Sequence, residues 1–106
     1  MKALILLIFM TMSSMVAAES SVYELSIKEH RFEPPLVAIP AGTKVKLLVK
    51  NLDTTPEEFE SYELSREKII PGNSEALIYI GPLDPGTYGF FGDFHQDTAQ
   101  GKLIAK

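Results

Sequence analysis

The chain has no cysteine in its 106 residues. That excludes disulfide staples, a lipid anchored through a cysteine, and a thiolate for a metal ion. Methionine is nearly as restricted. Met1, Met10, Met12 and Met15 all lie in the first fifteen residues, so the remainder offers no thioether. Positive charge is also short, with ten Lys and Arg against fourteen Asp and Glu and a formal net charge of −4. The basic face that a nucleic-acid partner needs is therefore missing. Two histidines and no cysteine leave no nucleophile, base and orienting group for hydrolysis. No long apolar stretch has a period of 3.6 residues, so helices are not expected to build the fold.

One continuous apolar run stands apart. Lys2 precedes residues 3–10, which are all apolar, and a more polar stretch over residues 11–14 leads to Val16-Ala17-Ala18. This is the pattern of a cleavable signal peptide over residues 1–18, with cleavage before Glu19. A membrane anchor is the alternative. The run falls short of the roughly 20 apolar residues needed to cross about 30 Å of hydrocarbon. After cleavage no membrane insertion is expected. The domain is then residues 19–106, and loss of Lys2 takes the formal charge from −4 to −5.

Short runs with period-two alternation follow, separated by turn residues every eight to twelve positions or so, the pattern of an all-β sandwich or barrel. Tyr23, Leu25 and Ile27 share one face of the first run. Residues 36–39 form a second, and Pro40-Ala41-Gly42 turns the chain. Val45, Leu47 and Val49 point inward in the third, over residues 44–50. Residues 51–56 read as a polar loop. Residues 59–64, 68–70, 76–80, 87–91 and 102–105 complete seven or eight strands in one domain. Acidic residues crowd one stretch, where Glu57, Glu58, Glu60, Glu63 and Glu67 meet only Arg66. Such a run is ordinarily a solvated face. Within it, Glu57 lies two positions before the inward Phe59 and shares its side, whereas Glu58 and Glu60 have solvent-facing parity.

Three stretches resemble the cupredoxin family. They are Phe32-Glu33-Pro34 through Ile39-Pro40-Ala41-Gly42-Thr43, then Val49 to Pro56, then Tyr88-Gly89-Phe90-Phe91-Gly92-Asp93-Phe94-His95 with Gly101-Lys102-Leu103-Ile104. The resemblance implies a cupredoxin-like Greek-key β-sandwich. It also implies a metal site, and there the chain departs from the family. Glu57 stands where the first histidine ligand would be, Gly92 where the cysteine would be, and Ala99 where the methionine would be. Only His95 keeps its residue type. More narrowly, Glu57-Glu58-Phe59-Glu60-Ser61, Arg66-Glu67-Lys68 and the segment ending in His95 are similar to the cysteine-free cupredoxins of bacterial iron-permease (EfeO-type) uptake systems. That likeness implies a periplasmic module that binds or oxidises iron, or passes metal or electrons, beside an inner-membrane iron permease and a periplasmic iron-binding protein.

The family's strand order brings His30, Glu57 and His95 to one end. The candidate ligands are His95 and Glu57, then Glu58, Asp93 and His30. Imidazole with carboxylate is a harder donor set than thiolate, and suits a copper or iron ion, with Mn(II) and Zn(II) also compatible. Each residue has a plainer reading: His95 and His30 as loop histidines, Asp93 as a turn cap, Glu57 and Glu58 as exposed acids. Three functions remain open. They are a metal-binding module of iron uptake, a metal-free adaptor docking a partner through its acidic end, and a ferroxidase-like redox protein. The last is disfavoured as an enzyme because one coordination sphere does not support multi-electron oxygen chemistry.

Overall fold

The structure is a computed structural model that describes residue 3 and residues 21–106. The signal-peptide reading therefore lies almost wholly outside the described residues. No helix among the described residues is long and apolar enough to cross a membrane.

Nine strands occur among the described residues, in chain order: β1 Val22–Lys28, β2 Arg31–Glu33, β3 Leu36–Ile39, β4 Val45–Asn51, β5 Glu57–Ser61, β6 Arg66–Ile70, β7 Ser74–Ile80, β8 Gly86–Gly92 and β9 Gln100–Ala105. A 3₁₀ turn, Asp93–His95, follows β8. One sheet has the order β2-β1-β4-β7 and the other β3-β9-β8-β5-β6. Both are mixed, because β1 runs parallel to β4 and β3 parallel to β9. The expected seven or eight strands become nine through β2, a three-residue strand that pairs with β1 across a tight turn. So short a strand carries too little alternation to stand out in a sequence.

The alternation is realised. Leu25 and Ile27 of β1, and Val45, Leu47 and Val49 of β4, are buried. They face Phe59, Phe90 and Leu103 from the second sheet. Phe32, Phe59 and Phe90 form an aromatic knot, with ring centroids 5.0 to 6.2 Å apart and both edge-on and stacked pairs. Pairs of this kind contribute roughly 0.5–1.5 kcal/mol each beyond their area. With no disulfide, this core holds the domain together.

Strand direction gathers the candidate residues at one pole. Because β1 and β4 are parallel, their C-terminal ends lie side by side, and Leu52 N donates to Ile27 O at 2.9 Å. β5 starts at that end, and β8, antiparallel to it, finishes there with Phe59 opposite Gly92. The stretch over residues 51–56 is less loop-like than its composition suggests. Asn51 ends β4 and is 1% exposed. Its Nδ2 donates to the carbonyls of Thr55, Ile70 and Pro71, and its Oδ1 accepts from Asp53 N. One side chain thus fixes the path from β4 to β5. Asn51→Ala would leave these buried groups without partners, at a cost of about 1–3 kcal/mol. Urea unfolding should show that loss, and a change below about 0.5 kcal/mol would contradict this role for Asn51.

Candidate metal centre

Glu57 lies at the first position of β5, on the same side as Phe59, and is only 1% exposed. Burying a carboxylate is costly unless its lone pairs are met. Here Oε1 accepts from Phe94 N at 2.9 Å and from Glu58 N at 3.0 Å. Oε2 lies 2.6 Å from His95 Nδ1. Both of these partners are backbone N–H donors, so Oε1 acts only as an acceptor. An ionised carboxylate only accepts, so Nδ1 of His95 carries the proton and donates it.

Room for this carboxylate comes from Gly92. A Cβ on Gly92 would lie 2.6 Å from Ala99 Cβ and 2.7 Å from the Glu57 carboxyl carbon. The place where the family resemblance puts a cysteine is thus already filled by the Glu57 side chain. The loop beyond Gly92 closes tightly. Gly92 N donates to Ala99 O, and Ala99 N and Thr98 N donate to His95 O.

His30 reaches the pole from the β1–β2 turn. Glu29 and His30 are its two central residues, and both have positive φ, at 52° and 57°. That is the backbone of a type I′ hairpin turn, which usually takes Asn or Gly. The Asp53 carboxylate holds it in place, accepting from Glu29 N at 2.8 Å and from His30 N at 3.0 Å. It also lies 3.4 Å from His30 Nδ1. Burial pulls the pKa of Asp53 upward, but these N–H bonds, with the charges of His30 and His95, outweigh that and hold it below the ordinary aspartate value. Thr98 Oγ1 donates to His30 O at 2.5 Å and ties the two histidine-bearing loops together. The imidazoles of His30 and His95 stack with centroids 3.5 Å apart and planes 12° off parallel.

His30, Glu57 and His95 therefore meet, each offering one donor atom within 4.8 Å of the others. The other two expected ligands do not join them. Asp93 opens the 3₁₀ turn and accepts from Gln96 Nε2 at 2.7 Å. Glu58 has the outward parity expected of it, but it does not face open solvent, being 9% exposed. It groups with Glu60 and Glu67 instead. Its pKa is pushed up to about 7 by desolvation, then by a hydrogen bond with Glu60 and by the charges of Glu67, Asp93 and Glu60. Asp53, which was not among the expected ligands, proves central to placing His30. A signal was present, since a Glu-His hairpin tip without Asn or Gly needs outside support.

The donors suit a metal ion by type. In the resting arrangement His95 Nδ1 and Glu57 Oε2 are closer than two ligands of one ion usually sit, at about 3.3 Å for tetrahedral bonds near 2.0 Å. An ion loaded on this pair would have to open it. The set does not fit a blue-copper centre, since no thiolate exists.

Comparison with known proteins agrees with this architecture. The family described as “Cupredoxin-like domain” matches residues 1–105. The uncharacterized protein RP394 of Rickettsia prowazekii (strain Madrid E) is 51% identical over 81 residues, covering 76% of this chain, which spans 65% of that protein's length. Auracyanin A, a blue copper protein of Chloroflexus aurantiacus, superposes with a TM-score of 0.69 at 18% identity, over 80% of this chain and 98% of its own. The metal-binding domain of the Cu(I)-exporting P-type ATPase CopA of Streptococcus pneumoniae D39 gives a TM-score of 0.71 at 12% identity, over 84% and 89%.

Two outcomes follow from this geometry. Gly92→Ala should cost about 1–3 kcal/mol through overpacking and should displace the Glu57–His95 pair. Unchanged stability with an intact pair would contradict the tight seat. The second concerns pH. A carboxyl whose folded pKa is raised contributes stability that is complete below its unfolded value near 4.5 and is lost as pH rises toward about 7. Thermal unfolding at several pH values should show this decline, and Glu58→Gln should flatten it; an equal slope in the variant would contradict the assignment.

Proposed function

The chain belongs to the cupredoxin-like domain family, and from that premise we propose that it is a periplasmic metal-binding module of a bacterial iron-uptake system, holding a copper or iron ion with His95, His30 and Glu57. The observation that carries this reading is the convergence of three donors, from three segments distant in sequence, at one pole. The blue copper protein auracyanin A and the Cu(I)-bearing domain of the exporter support copper by analogy of fold. Iron rests on the likeness of the acidic β5–β6 segment to cupredoxins of iron-permease systems. A carboxylate in the donor set favours the higher charge of Fe(III) over Fe(II).

The protein's own residues would do three things. His95 and His30 would offer their ring nitrogens. Glu57 would hold the His95 proton in the resting state and supply negative charge once that proton leaves. Asp53 and Thr98 would keep the two histidine loops in register. A bound ion would supply one-electron redox chemistry or would itself be the cargo. In this reading the module works beside an inner-membrane iron permease and a periplasmic iron-binding protein. Its acidic surface, formal charge −4 for the whole chain, suits cationic partners.

A second reading, a metal-free adaptor, draws on one observation. Every buried side-chain nitrogen and oxygen among the described residues already has a hydrogen-bond partner, so the pole is satisfied without an ion. Calorimetry with Cu(II), Fe(II) and Fe(III) separates the two. The metal reading expects Cu(II) to bind without an intense blue absorption, and His95→Ala to weaken it by at least about tenfold, or 1.4 kcal/mol. Equal uptake by the variant, or none by the native chain, would favour the adaptor.

A further inference from the structure

The two ring nitrogens of His95 stand in different surroundings. Nδ1 donates to Glu57 Oε2 at 2.6 Å, on the inner side of the pole. Glu57 is 1% exposed, and its other oxygen accepts from the amides of Phe94 and Glu58. The space beside it is already taken, since a Cβ on Gly92 would lie 2.7 Å from its carboxyl carbon. An ion entering between Nδ1 and the carboxylate would have to break their contact in a seat with no spare room.

Nε2 of His95 is placed otherwise. It has no hydrogen-bond partner among the described residues, where the ring's one bond is made by Nδ1. No buried side-chain nitrogen among those residues lacks a partner, so this unpaired Nε2, on a side chain that is 30% exposed, reaches the surface. The same holds for Nε2 of His30, whose Nδ1 lies 3.4 Å from Asp53. Both histidines line a cleft of about 540 Å³ together with Asp93 and Asp97, and Glu57 does not line it. Open imidazole nitrogens and carboxylates thus share one concave surface, outside the Glu57–His95 contact.

We propose that the ion is taken through Nε2 of His95, from this outer cleft, and that Glu57 is a positioning residue that holds the ion only through His95. The inference rests on the metal-binding reading above and narrows it to one nitrogen. A histidine that binds metal commonly donates its other ring N–H to a carboxylate, which fixes the ring and makes the coordinating nitrogen more basic. The Glu57–His95 pair already has that form. Imidazole with the carboxylates of Asp93 and Asp97 suits a borderline divalent ion such as Cu(II) or Zn(II). The lone pair of a ring nitrogen lies in the ring plane, and the planes of His30 and His95 are 12° off parallel with centroids 3.5 Å apart. The two rings therefore cannot both aim at one ion while stacked. His95 is held by Glu57, so His30, with its side chain 41% exposed, is the ring that turns.

Zn(II) is the probe, because it is diamagnetic and leaves each ring nitrogen of His95 readable by long-range proton–nitrogen NMR. In the native chain, loading should shift Nε2 in step with Zn(II) uptake while Nδ1 keeps its proton and its hydrogen bond to Glu57. Contacts between the ring protons of His30 and His95 should weaken as the stack opens. This measurement needs no variant. Glu57→Gln, close to glutamate in shape, should still bind through Nε2 but at least about tenfold more weakly. Loss of the Nδ1 proton on loading would put the ion in the Glu57 seat and overturn the outer site while leaving the metal reading intact. Zn(II) uptake that leaves both nitrogens of His95 unmoved, or equal affinity in the native and Glu57→Gln chains, would also overturn it. No uptake of Zn(II) or Cu(II) by the native chain would overturn the metal reading itself, and this inference with it.

Discussion

The buried carboxylate of Glu57 organises this end of the molecule. Its two oxygens accept from the backbone of Phe94 and Glu58 and from the ring of His95. One charged group thereby joins β5 to the loop after β8 and sets the direction of the His95 imidazole. Such a group is tolerated at 1% exposure only because all these donors are in place. Gly92 completes the arrangement by having no side chain, since any Cβ there would overlap the carboxylate. Glutamate and glycine are thus a matched pair. The first fills the space that the second leaves, in the position where the family resemblance puts a cysteine.

The second histidine is placed by different physics. His30 rides on a two-residue turn with both central residues at positive φ, a backbone that L-residues resist. Asp53, from the β4–β5 connection, offsets that cost by accepting both amides of the turn. Asn51 fixes the connection itself through the carbonyls of Thr55, Ile70 and Pro71. The stacked imidazoles are the end of a chain of support that runs from the core strand β4 outward. Strain at the turn and order in the connection are coupled, as is common where a fold builds a site on loops.

Much of this was legible before any coordinates. Alternation along β1, β4 and β5 identified the inward residues, and with them the inward course of Glu57. The strand order implied by the family resemblance then placed His30, Glu57 and His95 at one pole. Period-two patterning could not reveal three things. β2 is too short to alternate. The burial of Glu58 depends on what covers the outer face of the sheet, and parity is silent about that. Asp53 acts through backbone amides across 23 and 24 positions, a contact that leaves no mark in local composition. The acidic stretch is divided by the strand, as parity along β5 indicated for Glu57. Glu57 enters the pole, Glu58, Glu60 and Glu67 gather on the far face, and Glu63 accepts from Gly89 N.

The account rests most directly on which ring nitrogen of His95 is tied up. Long-range proton–nitrogen NMR of the metal-free protein identifies the protonated nitrogen and its hydrogen bond. The account predicts a proton on Nδ1, donated to Glu57, with Nε2 left free, and loss of that strong hydrogen bond in Glu57→Gln. A proton on Nε2 with Nδ1 unbonded, or a His95 ring indifferent to residue 57, would contradict it.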